Sequence, residues 1–270
     1  MTPTPQGIET IWPATKPLIG MIHLLPLPGA PAWSGSMDTV IERAVADAET
    51  LTEAGFDAVM VENYSDVPFY RGPVPAETVA AITASVVAVR MATSLPVGVN
   101  VLRNDALAAV GIAAASGARF VRVNVHTGSM WTDQGMVEGR AAETLRLRTG
   151  LGQDIAILCD VHVKHATPPV GAEIGTTAAD GWHRGLADAL IVSGVGTGAP
   201  TALGDIEAVR VAVPEAPILV GSGVTPQNAA GVLAHANGAI VGSAVMVDGV
   251  AGSGVDLRRA SALVTAARRS

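Results

Sequence analysis

Aromatic side chains make up only 3% of the 270 residues, charged ones only 15%, and there is a single cysteine, Cys159. One thiol excludes an intrachain disulfide framework and any multi-thiolate zinc site, and it fits a reducing cytoplasm. So few aromatics mean that the interior is built from Ala, Val, Ile and Leu. Basic runs are missing, and 17 Lys and Arg stand against 24 Asp and Glu, a formal charge of −7. That balance excludes an electrostatic nucleic-acid binder. No apolar stretch reaches the roughly 18–20 residues of a membrane span. Residues 1–15, rich in Thr and Pro, lack the basic and apolar regions of a signal peptide and read as a flexible leader. A chain this poor in charge is expected to bury part of its surface against another copy, as a homo-oligomer.

What the sequence does have is repetition. Short β-branched runs at 18–23, 58–62, 97–101, 120–125, 155–161, 189–192, 218–220 and 239–241 alternate with Ala-rich segments at 37–54, 76–93, 105–116, 137–149, 176–184, 204–213, 226–235 and 255–268. Ser36 reads as an N-cap, and Gly55 and Gly117 as helix stops. Continuous apolar strands joined by helices imply parallel pairing buried on both faces. Eight such units over residues 16–270 match the size and count of a single α/β domain, a (β/α)8 TIM barrel. The rival, an open doubly wound sheet, calls for a G-x-G-x-x-G turn after the first strand. Here that segment is Leu-Leu-Pro-Leu-Pro-Gly at 24–29.

In a barrel of this kind the site lies at the C-terminal ends of the strands. The polar residues that close the apolar runs are therefore candidates: His23, Glu62 with Asn63, Asn100, Asn124 with His126, Asp160 with His162 and Lys164, and Ser193. Burying such groups unpaired costs about 1–3 kcal/mol each, so a ring of them either pairs internally or lines a substrate pocket. Strand alternation sends Asp160, His162 and Lys164 to one side, a carboxylate, an imidazole and an ammonium suited to acid/base catalysis together with Glu62 and His126. Lys164 is also open to a Schiff base or to neutralising Asp160 or a bound phosphate. His23, Asn100, Asn124 and Ser193 are candidates for orienting a substrate. Glu62, His126, Asp160 and His162 are ligand types for a divalent metal, although no tight His spacing supports one. Cys159 falls on the opposite side of its strand from Asp160 and reads as packing. Tyr64, Trp131 and Trp182 fall near rim loops, and Arg258, Arg259, Arg268 and Arg269 read as a solvated helix end.

The strongest local signal lies near the C-terminus. Gly221, Ser222 and Gly223 follow the seventh strand, and Gly242 and Ser243 follow the eighth. Glycines let backbone N–H groups face an anion, and these are the two loops that commonly hold phosphate in such barrels. The glycine-rich 193–198 segment after the sixth strand is placed to close over the same ligand. The expected partner is a phosphorylated small molecule.

Several stretches together resemble the BtpA family, which includes the SgcQ-type proteins. They are Lys-Pro-Leu-Ile-Gly-Met-Ile-His-Leu-Leu-Pro-Leu-Pro-Gly at 16–29, Gly-Phe-Asp-Ala at 55–58, Glu-Asn at 62–63, Phe-Val-Arg-Val-Asn-Val at 120–125, Asp-Val-His-Val-Lys-His-Ala at 160–166, Gly-Thr-Gly at 196–198, and Val-Gly-Ser-Gly-Val-Thr at 220–225. The resemblance spans all but the leader. It implies a phosphate-binding TIM barrel, similar in its last two loops to phosphoribosylanthranilate isomerase and tryptophan synthase α. Family members are linked to photosystem I accumulation or to sugar-phosphate metabolism. No single reaction is implied. Three functions stay open: an isomerase, lyase, aldolase or glycosidic-cleavage enzyme on a phosphorylated substrate; an assembly or stability factor acting through protein contacts; and a ligand-binding pseudo-enzyme.

Overall fold

The computed structural model describes residue 11 and residues 16–269. The leader proposed for 1–15 lies outside the described residues except for Ile11, which is buried with the inner barrel cluster. Eight parallel strands close into a barrel in chain order: β1 (Leu18–His23), β2 (Ala58–Glu62), β3 (Val97–Asn100), β4 (Phe120–Val123), β5 (Ala156–Val161), β6 (Ala189–Val192), β7 (Ile218–Val220) and β8 (Gly238–Val241). Each is followed by a helix: α1 (Met37–Ala54), α2 (Ala76–Ala92), α3 (Ala106–Ser116), α4 (Ala141–Leu151), α5 (Ile174–Ala179), α6 (Leu203–Ala212), α7 (Ala229–His235) and α8 (Leu257–Ala267).

Local chemistry fixes the helix ends. The Ser36 hydroxyl accepts from Thr39 N at 3.2 Å, and Gly55 stops α1 at φ 88°. Asp105 caps α3 through Ala108 N, and Gly117 ends it at φ 77°. These left-handed stops suit glycine, which has no Cβ to clash.

Two cores follow from the period of the strands. Val59, Val61, Val99, Val121, Ile157, Val192 and Val220 face outward and pack on the helices. Ile19, Met21, Ala58, Met60, Phe120, Leu158, Ile191, Leu219 and Ile240 fill the barrel. Cys159 is buried in the outer core, where desolvation pushes its thiol pKa well up. Phe120 is the largest apolar residue inside, and the neighbouring strand makes room for it: Gly98 pairs with Phe120, and a Cβ at Gly98 would overlap its ring.

The structure differs from the sequence reading after β4, where the sequence predicts a loop over 126–134 and a helix over 137–149. Instead Ser129–Thr132 and Gly135–Glu138 form a hairpin, α4 begins at Ala141, and Ala166–Thr167 adds a third strand to the hairpin. Val137 is apolar because it pairs with Met130 and packs in a small cluster with Val125 and Val163, not because it opens a helix. Helix α5 continues into a π turn at Asp180–Arg184. Among the described residues no helix is long and apolar enough to cross a membrane.

Gly98→Ala is expected to destabilise the fold by about 1–3 kcal/mol through overpacking. Denaturant unfolding checks this, and adding Phe120→Leu is expected to recover part of the loss.

Candidate active site

The upper layer of the barrel interior is polar. Register sets His23 beside Glu62, Glu62 beside Asn100, and Asn100 beside Arg122. Arg122, which the sequence reading did not single out, is 2% exposed. It grips Asp160 with two hydrogen bonds, Nε to Oδ2 at 2.9 Å and Nη2 to Oδ1 at 2.7 Å. Asp160 also accepts from Asn124 Nδ2 at 2.8 Å and Ser193 Oγ at 3.3 Å, and Asn100 donates to Asn124 Oδ1 at 3.2 Å. Asn100, Asn124, Asp160 and Ser193 thus form one buried network around the Arg122 guanidinium. Asp160 is fully engaged as its counter-ion, which leaves it no lone pair suited to act as a base.

The alternation expected to align Asp160, His162 and Lys164 breaks where β5 ends at Val161, because His162 has φ 52°. Its ring turns to Thr177 Oγ1 at 3.0 Å, in an adjoining cleft beside α5 that Asn124 and Asp160 also line. His126 is also displaced from the site: its buried Nε2 lies 2.8 Å from the Gly185 carbonyl, and burial lowers its pKa. Among the described residues no three His, Cys, Asp or Glu side chains are placed to share a metal ion. The candidate ligands Glu62, His126, Asp160 and His162 therefore do not converge.

Glu62 and Lys164 line the same two cavities, with His23 beside Glu62. Burial raises the Glu62 pKa against the opposing charges of Lys164 and Arg122. Burial also lowers that of Lys164, with Arg122 adding repulsion while Glu62 and Asp160 hold it up. Each group is thereby pushed toward its neutral form. His23 stacks on Tyr64 with ring centroids 4.2 Å apart, and its Nε2 lies 3.6 Å from Glu62 Oε1. That approach is no ion pair, because desolvation, then Lys164 and Arg122, bring the His23 pKa down to about 3.

Two cavities share Glu62, Lys164 and Thr197. The smaller, about 150 Å³, is walled by Gly221, Ser222, Gly223, Thr225, Gly242 and Ser243, with Gly198 from the loop after β6. The five glycine-loop residues singled out in the sequence thus face one cup. Within it, Ser222 serves the framework: its hydroxyl accepts from Gly194 N at 2.8 Å and donates to the Ala199 carbonyl at 3.1 Å. Gly223 has φ 71°, and a Cβ there would strike the Ala199 backbone. Arg259, read as solvated, is exposed and also borders this cup. Its Nε donates to the Ala244 carbonyl at 3.2 Å, so only its place on α8, not its spacing, marks it. The larger cavity, about 370 Å³, is bounded by Tyr64, Phe69, Leu102, Arg103, Asn124 and His165. Arg103 and the tie from His165 Nε2 to Thr197 N at 3.1 Å had no counterpart in the sequence reading.

Solved structures share this architecture. The native KDPGal structure superposes with a TM-score of 0.58 at 20% identity, over 96% of this chain and 97% of that one. Phosphoribosylanthranilate isomerase from Pyrococcus furiosus gives 0.57 at 13% identity, over 94% and 100%. The fold class is the (β/α)8 barrel; at these identities the likeness speaks for fold alone.

Sequence comparison narrows the class further. The BtpA family model matches residues 14–269, and the chain belongs to the BtpA family. It is 44% identical to the photosystem I biogenesis protein BtpA of Synechocystis sp., over 93% of this chain and 88% of that protein. It is 46% identical to an uncharacterised protein of Pyrococcus furiosus, over 92% and 94%. An uncharacterised mitochondrial protein of Caenorhabditis elegans is 31% identical, over 87% of each chain.

Two measurements probe the site without a substrate. Arg122→Met leaves Asp160 buried without its counter-ion and is expected to cost about 3–5 kcal/mol in urea unfolding. The double change Arg122→Met with Asp160→Leu is expected to cost less than the single one. His23 supplies the second test. Between its ordinary 6.5 and its folded value of about 3, the unfolded chain takes up a proton that the folded one refuses. Its contribution to stability is complete above the ordinary value and falls as pH drops, at roughly 1.4 kcal/mol per pH unit. His23→Asn is expected to show a shallower loss of Tm than the native chain on acidification; equal slopes would contradict the assignment.

Proposed function

We propose that the chain is an enzyme that moves protons on a small phosphorylated molecule. The glycine cup of the β7 and β8 loops receives the phosphoryl group, and the carbon skeleton extends across Glu62 and Lys164 toward Tyr64 and Phe69. The observation that carries this reading is that Glu62 and Lys164 both line both cavities. A carboxyl whose pKa burial raises and an amine whose pKa burial lowers offer an acid and a base on one cavity floor. Lys164 Nζ takes a proton from a carbon next to a carbonyl in isomerisation, or from the hydroxyl beside the breaking carbon–carbon bond in aldol-type cleavage, and Glu62 delivers one to the oxygen or carbon that gains charge. Isomerisation and aldol-type cleavage both need these transfers. Glycosidic hydrolysis calls for two working carboxyl groups. With Asp160 bound to Arg122, the other carboxylate lining the larger cavity with Glu62 is Asp133, exposed at its rim.

The cavities together fall in the ordinary size range of small-molecule sites. The phosphorylated partner inferred from the sequence fits the same cup. A second reading, a protein-assembly role, is favoured by the Synechocystis relative's name. The relative in a nematode, an animal without photosystems, favours a reaction common to the family.

The experiment is a panel of sugar phosphates and their unphosphorylated counterparts incubated in D2O, with deuterium incorporation and product followed by NMR. Exchange is expected only with phosphorylated compounds. Lys164→Met and Glu62→Gln are each expected to lower it by about 10²–10⁴-fold, the usual worth of one acid or base. Exchange that survives both changes, or that ignores the phosphate, would overturn the reading.

A further inference from the structure

One buried cation has no part in that scheme. Arg103 follows β3 and is 5% exposed, in the wall of the larger cavity. Its Nη2 donates to the Lys164 carbonyl at 2.7 Å. Among the described residues its guanidinium has no other hydrogen-bond partner and no carboxylate within ion-pair reach. The contrast with Arg122, two-fold bonded to Asp160 in the same barrel, is the informative point. The carboxyl groups that face Arg103 are Asp160, already bound; Glu62, on the shared floor; and Asp133, exposed at the rim. Lys164 and Arg122 add positive charge nearby. A buried guanidinium with free N–H groups beside an open chamber is a site short of one anion.

We propose that Arg103 binds a carboxylate of the substrate, so that the molecule carries a phosphate at one end and a carboxylate at the other. The proposal rests on the function inferred above and specifies its substrate class. A carboxylate fits better than a second phosphate. One Nη of Arg103 is already committed to the Lys164 carbonyl, which leaves a single planar edge, and a guanidinium edge matches two carboxylate oxygens. The other cup supplies the backbone-lined concavity suited to phosphate. The span between them crosses Glu62 and Lys164, so the carbons between the two anions lie over the acid and the base.

Calorimetric titration with 6-phosphogluconate, glucose 6-phosphate, gluconate and fructose 1,6-bisphosphate tests this. The phosphorylated acid is expected to bind at least about ten-fold tighter than glucose 6-phosphate, the worth of one charge-assisted pair. Arg103→Met is expected to bring the two within about two-fold of each other, chiefly by weakening 6-phosphogluconate. Arg103→Lys, which keeps the charge, is expected to retain part of the preference and guards against a folding defect. Equal affinity of the native chain for the acid and the sugar phosphate, or a preference that survives Arg103→Met, overturns the proposal. Tighter binding of the bisphosphate than of the acid also overturns it, as does no binding by any probe. Gluconate binding as tightly as 6-phosphogluconate, with the Arg103 dependence intact, supports the carboxylate site and sinks the phosphate cup instead.

Discussion

The ion pair between Arg122 and Asp160 is the constraint from which the site follows. Two charges inside a barrel carry a heavy desolvation cost, offset only if the pair is tight and its remaining bonds are made. Three neighbouring strands meet that requirement together. Arg122 comes from β4 and Asp160 from β5, while Asn124 and Ser193 stand just beyond β4 and β6. The pair divides the interior, with Met21, Met60, Phe120 and Leu158 in the apolar filling below and the polar floor above. It also exerts a field. Arg122 contributes to the lowering at both His23 and Lys164, so its charge acts on the polar residues around it as well as on Asp160.

Much of this was legible in the sequence because it depends on period and position. Eight apolar runs followed by helices gave the barrel, and the rule that strands end at the site gave His23, Glu62, Asn100, Asn124, Asp160 and Ser193 as its upper layer. Gly221, Gly223, Gly242 and Ser243 could be found because a loop's chemistry is local. Pairing is another matter. Alternation says which way Asp160 faces but not that a guanidinium waits opposite, and Arg122 looked like an isolated charge among valines. The strand's end was equally hidden: nothing in the spacing shows that His162 leaves extended geometry while Lys164 returns to the pocket. Val137 carried a real apolar signal with the wrong cause, since a short hairpin and a helix start both need one buried residue there.

Family membership and architecture say different things. The shared fold with sugar-phosphate enzymes describes a scaffold that supports many reactions, whereas this chain's chemistry lies in a few side chains at its mouth. Of these, Glu62 and Lys164 are shifted toward their neutral forms by burial, against the pull of each other's charge. His162, His126 and Cys159, residue types that ordinarily attract attention, serve packing and loop geometry.

The rim loops are tied to one another in sequence around the mouth. Leu27 N bonds Asp66, Leu102 N bonds Asn63, Val125 N bonds Asn104, Trp131 pairs with Thr167, Thr197 N meets His165, and Gly194 N meets Ser222. The loop after β8 hangs elsewhere: Val255 N bonds Asp47 at 2.8 Å and the Gly252 carbonyl accepts from Arg43, both on α1. The β7 side of the glycine cup is therefore laced into the rim, while the loop that begins at Gly242 and Ser243 is moored at its far end to α1, through the buried Asp47. The seating of the first helix on the barrel thus bears on that loop.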